Sequence, residues 1–202
     1  MSHFNQVANS WDTPEKTIQN QKYAKKITSL MPSPNNSPLK ILEVGCGTGL
    51  LGSQFVFGNN QLIGLDTSAG MLEVFNKKFL GNKNIHSQLL NLEEENLNEG
   101  NFDLIISAMA FHHLKNPQSI LHKLKKMLSP KGVIAVIDLD FEDGSFHPDP
   151  KNMGVHHFGF SEETTQKWSK LGGFSKSSRE IVNTIEKNDK SYPIFLSMFF
   201  NS

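Results

Sequence analysis

The chain has 202 residues, enough for one domain that buries a sizeable core without disulfides or metals. Lys plus Arg and Asp plus Glu both number 20, so the formal charge is zero and no basic excess is available to neutralise a phosphate backbone, which argues against a nucleic-acid partner. The single cysteine, Cys46, leaves no disulfide framework and no paired-thiol metal site, as expected of a cytoplasmic protein. No signal-peptide pattern opens the chain, and no apolar stretch approaches the ~20 residues that span a bilayer.

Residues 1–31 carry Phe4, Val7, Ala8, Trp11, Tyr23, Ala24, Ile27 and Leu30 among polar residues, a spacing that predicts two short helices laid over the remainder. The proline-rich run 32–38 stops any helix and reads as a linker into a core spanning 39–202. The pattern then alternates: strand 39–44, helix 49–57, strand 61–65, helix 68–79, strand 85–90, strand 102–108, helix 117–128 and strand 133–137. Such a series demands a parallel sheet covered on both faces. A loop over 140–159 leads to a helix that starts at Ser161 and is ended by Gly172 and Gly173. Two strands, about 174–185 and 192–200, follow, and the short polar segment 187–191 lets them pair as an antiparallel hairpin. The near-continuous apolar run Phe195–Phe200 predicts an inner strand rather than a dimer edge.

The richest segment is 39–52, a buried strand that breaks into a turn holding Gly45, Gly47 and Gly49. Glycines there accept positive φ and let a ligand approach closer than a Cβ would allow, so a nucleotide-like cofactor is expected. Asp66, at the tip of the next strand, can accept hydrogen bonds from two ribose hydroxyls. Dinucleotide enzymes share this logic.

The full stretch Glu43-Val-Gly-Cys-Gly-Thr-Gly49, with Asp66 at the right distance, resembles motif I of the class I S-adenosylmethionine-dependent methyltransferases. The resemblance extends over nearly the whole chain and is closest to the small-molecule type, such as the ubiquinone and menaquinone C-methyltransferases. It implies an α/β fold: a Rossmann-like seven-stranded, mostly parallel sheet with a C-terminal antiparallel hairpin and an N-terminal helical lid, with S-adenosylmethionine as cofactor. It also assigns the turn residues Glu43, Gly45, Cys46, Gly47 and Gly49, with Asp66 and Thr67, to the cofactor. Met71 would lie against adenine or simply belong to the core. Asn91 would bond the adenine amino group or cap its own loop, and the Leu92 N–H would meet a ring nitrogen. Ser107, Ala108 and Met109 would border the methionine portion, and the lid residues Phe4 and Trp11 would close over the cofactor or pack as an ordinary helix.

On the acceptor side the resemblance places Phe4 of the lid, Phe111, His112, His156, His157 and Phe158, with His112 as a general base or a polar wall and His113 as a structural residue. The acidic, histidine-bearing loop 138–158 reads as substrate-facing, with a divalent ion the lesser alternative, since methyl transfer from a sulfonium needs no metal and adjacent histidines rarely ligate one ion from a regular element. No metal is therefore expected. The reaction implied is in-line displacement onto a small organic acceptor. A sensor or non-catalytic partner subunit that binds the cofactor is the alternative, and a nicotinamide dehydrogenase fails on Glu43 and the terminal hairpin. The oligomeric state stays open.

Overall fold

The computed structural model describes residues 3–32 and 38–201, so the expected linker lies mostly outside the described residues, as do the first two residues of the lid. Seven strands form one sheet in the order β3-β2-β1-β4-β5-β7-β6. Five are parallel: β1 (Lys40–Val44), β2 (Gln61–Asp66), β3 (Ile85–Leu89), β4 (Phe102–Ala108) and β5 (Leu128–Leu139). The last pair, β6 (Lys176–Lys187) and β7 (Lys190–Phe200), runs antiparallel, with β7 inserted between β5 and β6. The run Phe195–Phe200 is thus an inner strand, as its composition requires.

The alternation of side chains explains the apolar runs. Val133, Ala135, Ile137 and Leu139 of β5 join one core, with Ile194, Leu196 and Met198 of β7 and Tyr23, Ala24 and Ile27 of α2 (Pro14–Leu30). Ile134 and Val136 join the other, with Phe195 and Phe199 and the apolar face of α4 (Pro117–Lys126), including Ile120, Leu121 and Leu124. Both faces are covered, so both rows are apolar over 133–137.

Helix starts follow local chemistry. Thr13 accepts from the Lys16 N–H at the head of α2, with Pro14 in the first turn. Ser68 caps α3 (Ala69–Lys78), Asn116 caps α4 and Ser161 caps α5 (Glu162–Gly172) in the same way. Gly173, at φ 64°, ends α5 as the sequence indicates. A short α1 (His3–Val7) precedes α2.

Several boundaries differ from expectation, among them the second N-terminal helix, which is not short but runs over 17 residues, Pro14–Leu30, and the strand expected over 133–137, which spans Leu128–Leu139. The helix over 49–57 is instead a single 3₁₀ turn, Gly52–Phe55. The Gly52 N–H turns inward to the Glu43 carboxylate at 3.1 Å, and Asn60 closes the turn by donating to the Phe55 carbonyl at 2.8 Å. Helix α4 stops at Lys126, because β5 already begins at Leu128. The hairpin turn is only Asn188 and Asp189, both at positive φ, so the two strands extend further than the polar segment suggests.

Strand order reverses between β2 and β4 on either side of β1, which opens a crevice at the carboxyl ends of these strands.

Candidate active site

The glycine turn fills one end of that crevice. Gly45 and Cys46 donate their N–H groups to the Leu65 carbonyl at 2.8 and 2.9 Å, and Gly47 donates to Asp66 Oδ2 at 2.8 Å. Asp66 Oδ1 accepts from Ser68 N–H at 2.8 Å, so the carboxylate is fixed by backbone while lone pairs remain for a ligand. Gly45 has φ 69°, and a Cβ there would overlap that of Ala110. Beneath the turn Glu43 is only 2% exposed, and burial pushes its carboxyl up to about 8 against the opposing Gly52 hydrogen bond. Burial raises Asp66 as well.

The N-terminal segment is tied over this turn at two points. Asp12 accepts from the Thr48 hydroxyl and pairs with Lys78 at 2.5 Å, while Lys78 also donates to the Thr48 carbonyl at 2.7 Å. Asn5 Oδ1 accepts from the Ser68 hydroxyl at 2.6 Å and the Gly70 N–H at 2.9 Å. Between these anchors Phe4 and Trp11 meet edge to face, with ring centroids 6.0 Å apart. The segment roofs a cavity of about 730 Å³.

The far end of the cavity is a wall of histidines. The 3₁₀ turn Phe111–His113, just beyond β4, presents His112 and His113, and the loop after β5 brings His147 against them. His112 is 1% exposed, and Asp138, fully buried at the end of β5, holds it twice. Asp138 Oδ1 accepts from His112 Nδ1–H at 2.7 Å and Oδ2 from the His112 backbone N–H at 3.2 Å. In the neutral imidazole this hydrogen bond leaves the lone pair on Nε2, an atom buried without a hydrogen-bond partner among the described residues. His113 donates Nδ1–H to the Gly154 carbonyl at 3.0 Å. Burial, reinforced by the neighbouring imidazoles, pulls both His113 and His147 down to about 4. Phe4 of the lid touches His113, so the roof spans both ends.

The structure brings Trp11, Glu43, Gly45, Cys46, Gly47, Asp66, Thr67, Met71, Asn91, Leu92, Ala108 and Met109 to the cavity, together with Phe4, His112 and His156. Met71 is both core and lining, at 2% exposure. Asn91 Oδ1 accepts from Glu93 N–H at 3.0 Å, the local cap, while the residue still faces the cavity.

Five expected residues do not line it. Gly49 is packed beneath α3, where a Cβ would meet the Phe75 and Phe79 rings at 2.7 Å. The Ser107 hydroxyl is spent on the Val44 carbonyl at 2.8 Å, binding β4 to β1. Phe111 is fully buried against Trp168. His157 packs on Phe160 and donates its N–H to the His112 carbonyl, and Phe158 lies outside, 44% exposed. Sequence reading marked Asp138 and His147 only as part of the acidic, histidine-bearing loop 138–158 and missed that they meet His112 and His113.

Residues 42–134 match the family model described as a methyltransferase domain, a span running from β1 into β5. An uncharacterized methyltransferase of Schizosaccharomyces pombe is 32% identical over 167 residues, covering 75% of this chain and 58% of the relative. The chain spans about half the length of the curated relatives it matches. Among solved structures, a chain from the complex between the Haloferax volcanii Trm112 methyltransferase activator and a methyltransferase superposes with a TM-score of 0.77 at 14% identity, covering 99% of this chain and 98% of that one. Haemonchus contortus phosphoethanolamine N-methyltransferase 2, solved with phosphomonomethylethanolamine and S-adenosylhomocysteine, gives 0.73 at 16% identity, covering 91% of this chain and 52% of that one. Motif, sheet order, terminal hairpin and sequence kinship agree: residues 42–134 match a methyltransferase domain, and the chain is similar in sequence and fold to the class I S-adenosylmethionine-dependent methyltransferases.

Proposed function

We propose that this chain binds S-adenosylmethionine on the glycine turn and transfers its methyl group to a small organic acceptor held against the histidine wall. The observation that carries the reading is the continuity of one cavity, with the turn and Asp66 at one end and the lone pair of His112 Nε2 at the other. Its volume falls within the range of small-molecule sites. The ribose hydroxyls go to Asp66, adenine lies between Met71 and the Asn91–Leu92 loop, and the methionine portion runs past Gly45 toward Ala108 and Met109.

The donor is already a sulfonium, so the protein contributes orientation and exclusion of water, which the Phe4–Trp11 roof provides. An acceptor atom forms the new bond to the methyl carbon as the carbon–sulfur bond breaks, and that electron pair stays on sulfur. Where the acceptor must shed a proton, His112 is the group that activates it, with Asp138 as the positioning residue that fixes its tautomer. The phosphoethanolamine N-methyltransferase neighbour, solved with a small amine acceptor, supports this class of substrate.

Calorimetric titration with S-adenosylmethionine and S-adenosylhomocysteine, followed by incubation of methyl-labelled donor with small phenols, enols, thiols and amines, tests the reading. Binding with labelled product supports it. Tight binding with no transfer to any acceptor favours a sensor or partner subunit, and no binding overturns the placement of the cofactor.

A further inference from the structure

We propose that His112, His113 and His147 form a binding site for one divalent transition-metal ion at the acceptor end of the cavity. One ring nitrogen from each lies within 4.8 Å of the others. Adjacent histidines diverge on a helix or a strand, but on the 3₁₀ turn their rings approach to 4.1 Å between centroids, and His147 arrives from a separate loop to complete the set. On these rings His112 Nε2 and His147 Nδ1 are buried with no hydrogen-bond partner among the described residues. Leaving two such atoms unsatisfied is costly, and an ion would satisfy both at once.

The outer contacts have the form that metal-bound imidazoles require. Asp138 and the Gly154 carbonyl each occupy the Nδ1–H of a histidine, at 2.7 and 3.0 Å, which fixes the tautomer and leaves Nε2 as donor atom. Three neutral imidazoles suit zinc, cobalt or nickel rather than the oxygen-seeking magnesium or calcium. Bonds of about 2.0–2.1 Å to the ion need the ring nitrogens to close from within 4.8 Å of one another. The fourth position then opens into the cavity.

This assignment rests on the function proposed above in one respect, that the acceptor occupies the open position. There an acceptor hydroxyl binds the ion through oxygen and loses its proton to water. The oxygen keeps the electron pair and attacks the methyl carbon as the carbon–sulfur bond breaks. With the ion bound, His112 acts on the acceptor through it; in the ion-free protein its Nε2 takes the proton directly.

The test uses untagged, chelator-stripped protein titrated with Co²⁺ and followed by visible absorption, with S-adenosylhomocysteine calorimetry on the same samples. One equivalent of Co²⁺, displaced by Zn²⁺, is expected in the native protein. Affinity should fall about 10–100-fold in His147→Ala and in His113→Ala, while His122→Ala, an exposed position on α4, keeps it. Unchanged S-adenosylhomocysteine affinity in the variants certifies that they fold. Absence of a cobalt spectrum in the native protein, or a spectrum indifferent to both substitutions, overturns the site. Cobalt binding without S-adenosylhomocysteine binding would leave the ion site standing and strike the proposed function instead.

Discussion

The two ends of the cavity are built on opposite plans. At the glycine turn the work is done by backbone: Gly45, Cys46 and Gly47 donate three N–H groups to Leu65 and Asp66, all within a span of 22 residues. At the histidine wall it is done by side chains delivered from separate places, with His112 and His113 after β4, Asp138 at the end of β5, His147 in the following loop and Phe4 from the lid. A cofactor that never changes can be held by a local backbone motif that tolerates few substitutions. An acceptor that differs between enzymes is better met by side chains that can be exchanged without disturbing the sheet.

If the division is real, damage at the two ends should separate in kinetics. His112→Ala should lower turnover by about 10²–10⁴-fold. Single-turnover rates beside S-adenosylhomocysteine calorimetry would check this, and cofactor affinity should stay within about twofold of native, since Asp66 and the turn are untouched. A comparable loss of cofactor affinity would mean that the wall also holds the donor. Asp66→Ala makes the converse case. Removing a carboxylate that pairs two hydroxyls costs about 1.5–3 kcal/mol, or roughly 10–150-fold in the Kd for S-adenosylmethionine. Turnover at saturating donor should change far less, and unaltered affinity would misplace the ribose.

The same division explains what could be read in the sequence. The turn, Asp66, the alternation of strands and helices and the terminal hairpin are legible because glycine spacing and apolar alternation are local properties. Gly49 was read as cofactor-facing on the same signal, yet it serves close packing against Phe75 and Phe79. Spacing alone does not separate a glycine that admits a ligand from one that admits a ring. At the histidine wall His112 was visible as part of a motif and His147 as part of a histidine-bearing loop, but they lie 35 positions apart and only the packed fold brings their rings to 5.0 Å. Phe111 and Phe158 show the same limit from the other direction. Both looked suited to a pocket wall, and the sheet buries one while the loop turns the other outward.

Gly45 measures how tightly the backbone plan is drawn. Gly45→Ala forces a side chain into a position at φ 69°, over the Ala110 Cβ. Backbone strain and overlap together should cost about 1–3 kcal/mol of stability, or a Tm fall of about 2–4 °C for each kcal/mol in a chain this size. Paired substitution with Ala110→Gly should recover the part due to overlap and leave the part due to φ. Full recovery would show that the left-handed conformation costs nothing here, and no recovery would show that Ala110 is irrelevant.

Glu43 is the exception that limits the contrast, because it places an ionisable side chain under the backbone motif. Burial holds its carboxyl at about 8, well above the ordinary 4.5, with Asp66 raising it further and Lys78 and the Gly52 N–H pulling it down. The folded protein therefore prefers the protonated form. The resulting stabilisation is complete below about pH 4.5 and is lost as pH rises through 8, so this residue should make the native protein progressively less stable across that window. Glu43→Gln, which is neutral at every pH, should show a flatter Tm profile between pH 5 and 9 and should gain on the native protein toward the alkaline end. Parallel profiles would mean that Glu43 is already ionised in the folded state. The consequence for function has its own sign: a cationic cofactor entering beside Glu43 favours the carboxylate, so binding near neutral pH should release a proton. Calorimetry in buffers of different ionisation enthalpy reads that proton directly. Its loss in Glu43→Gln would show that the donor end, for all its backbone architecture, senses the charge of its ligand through one buried side chain.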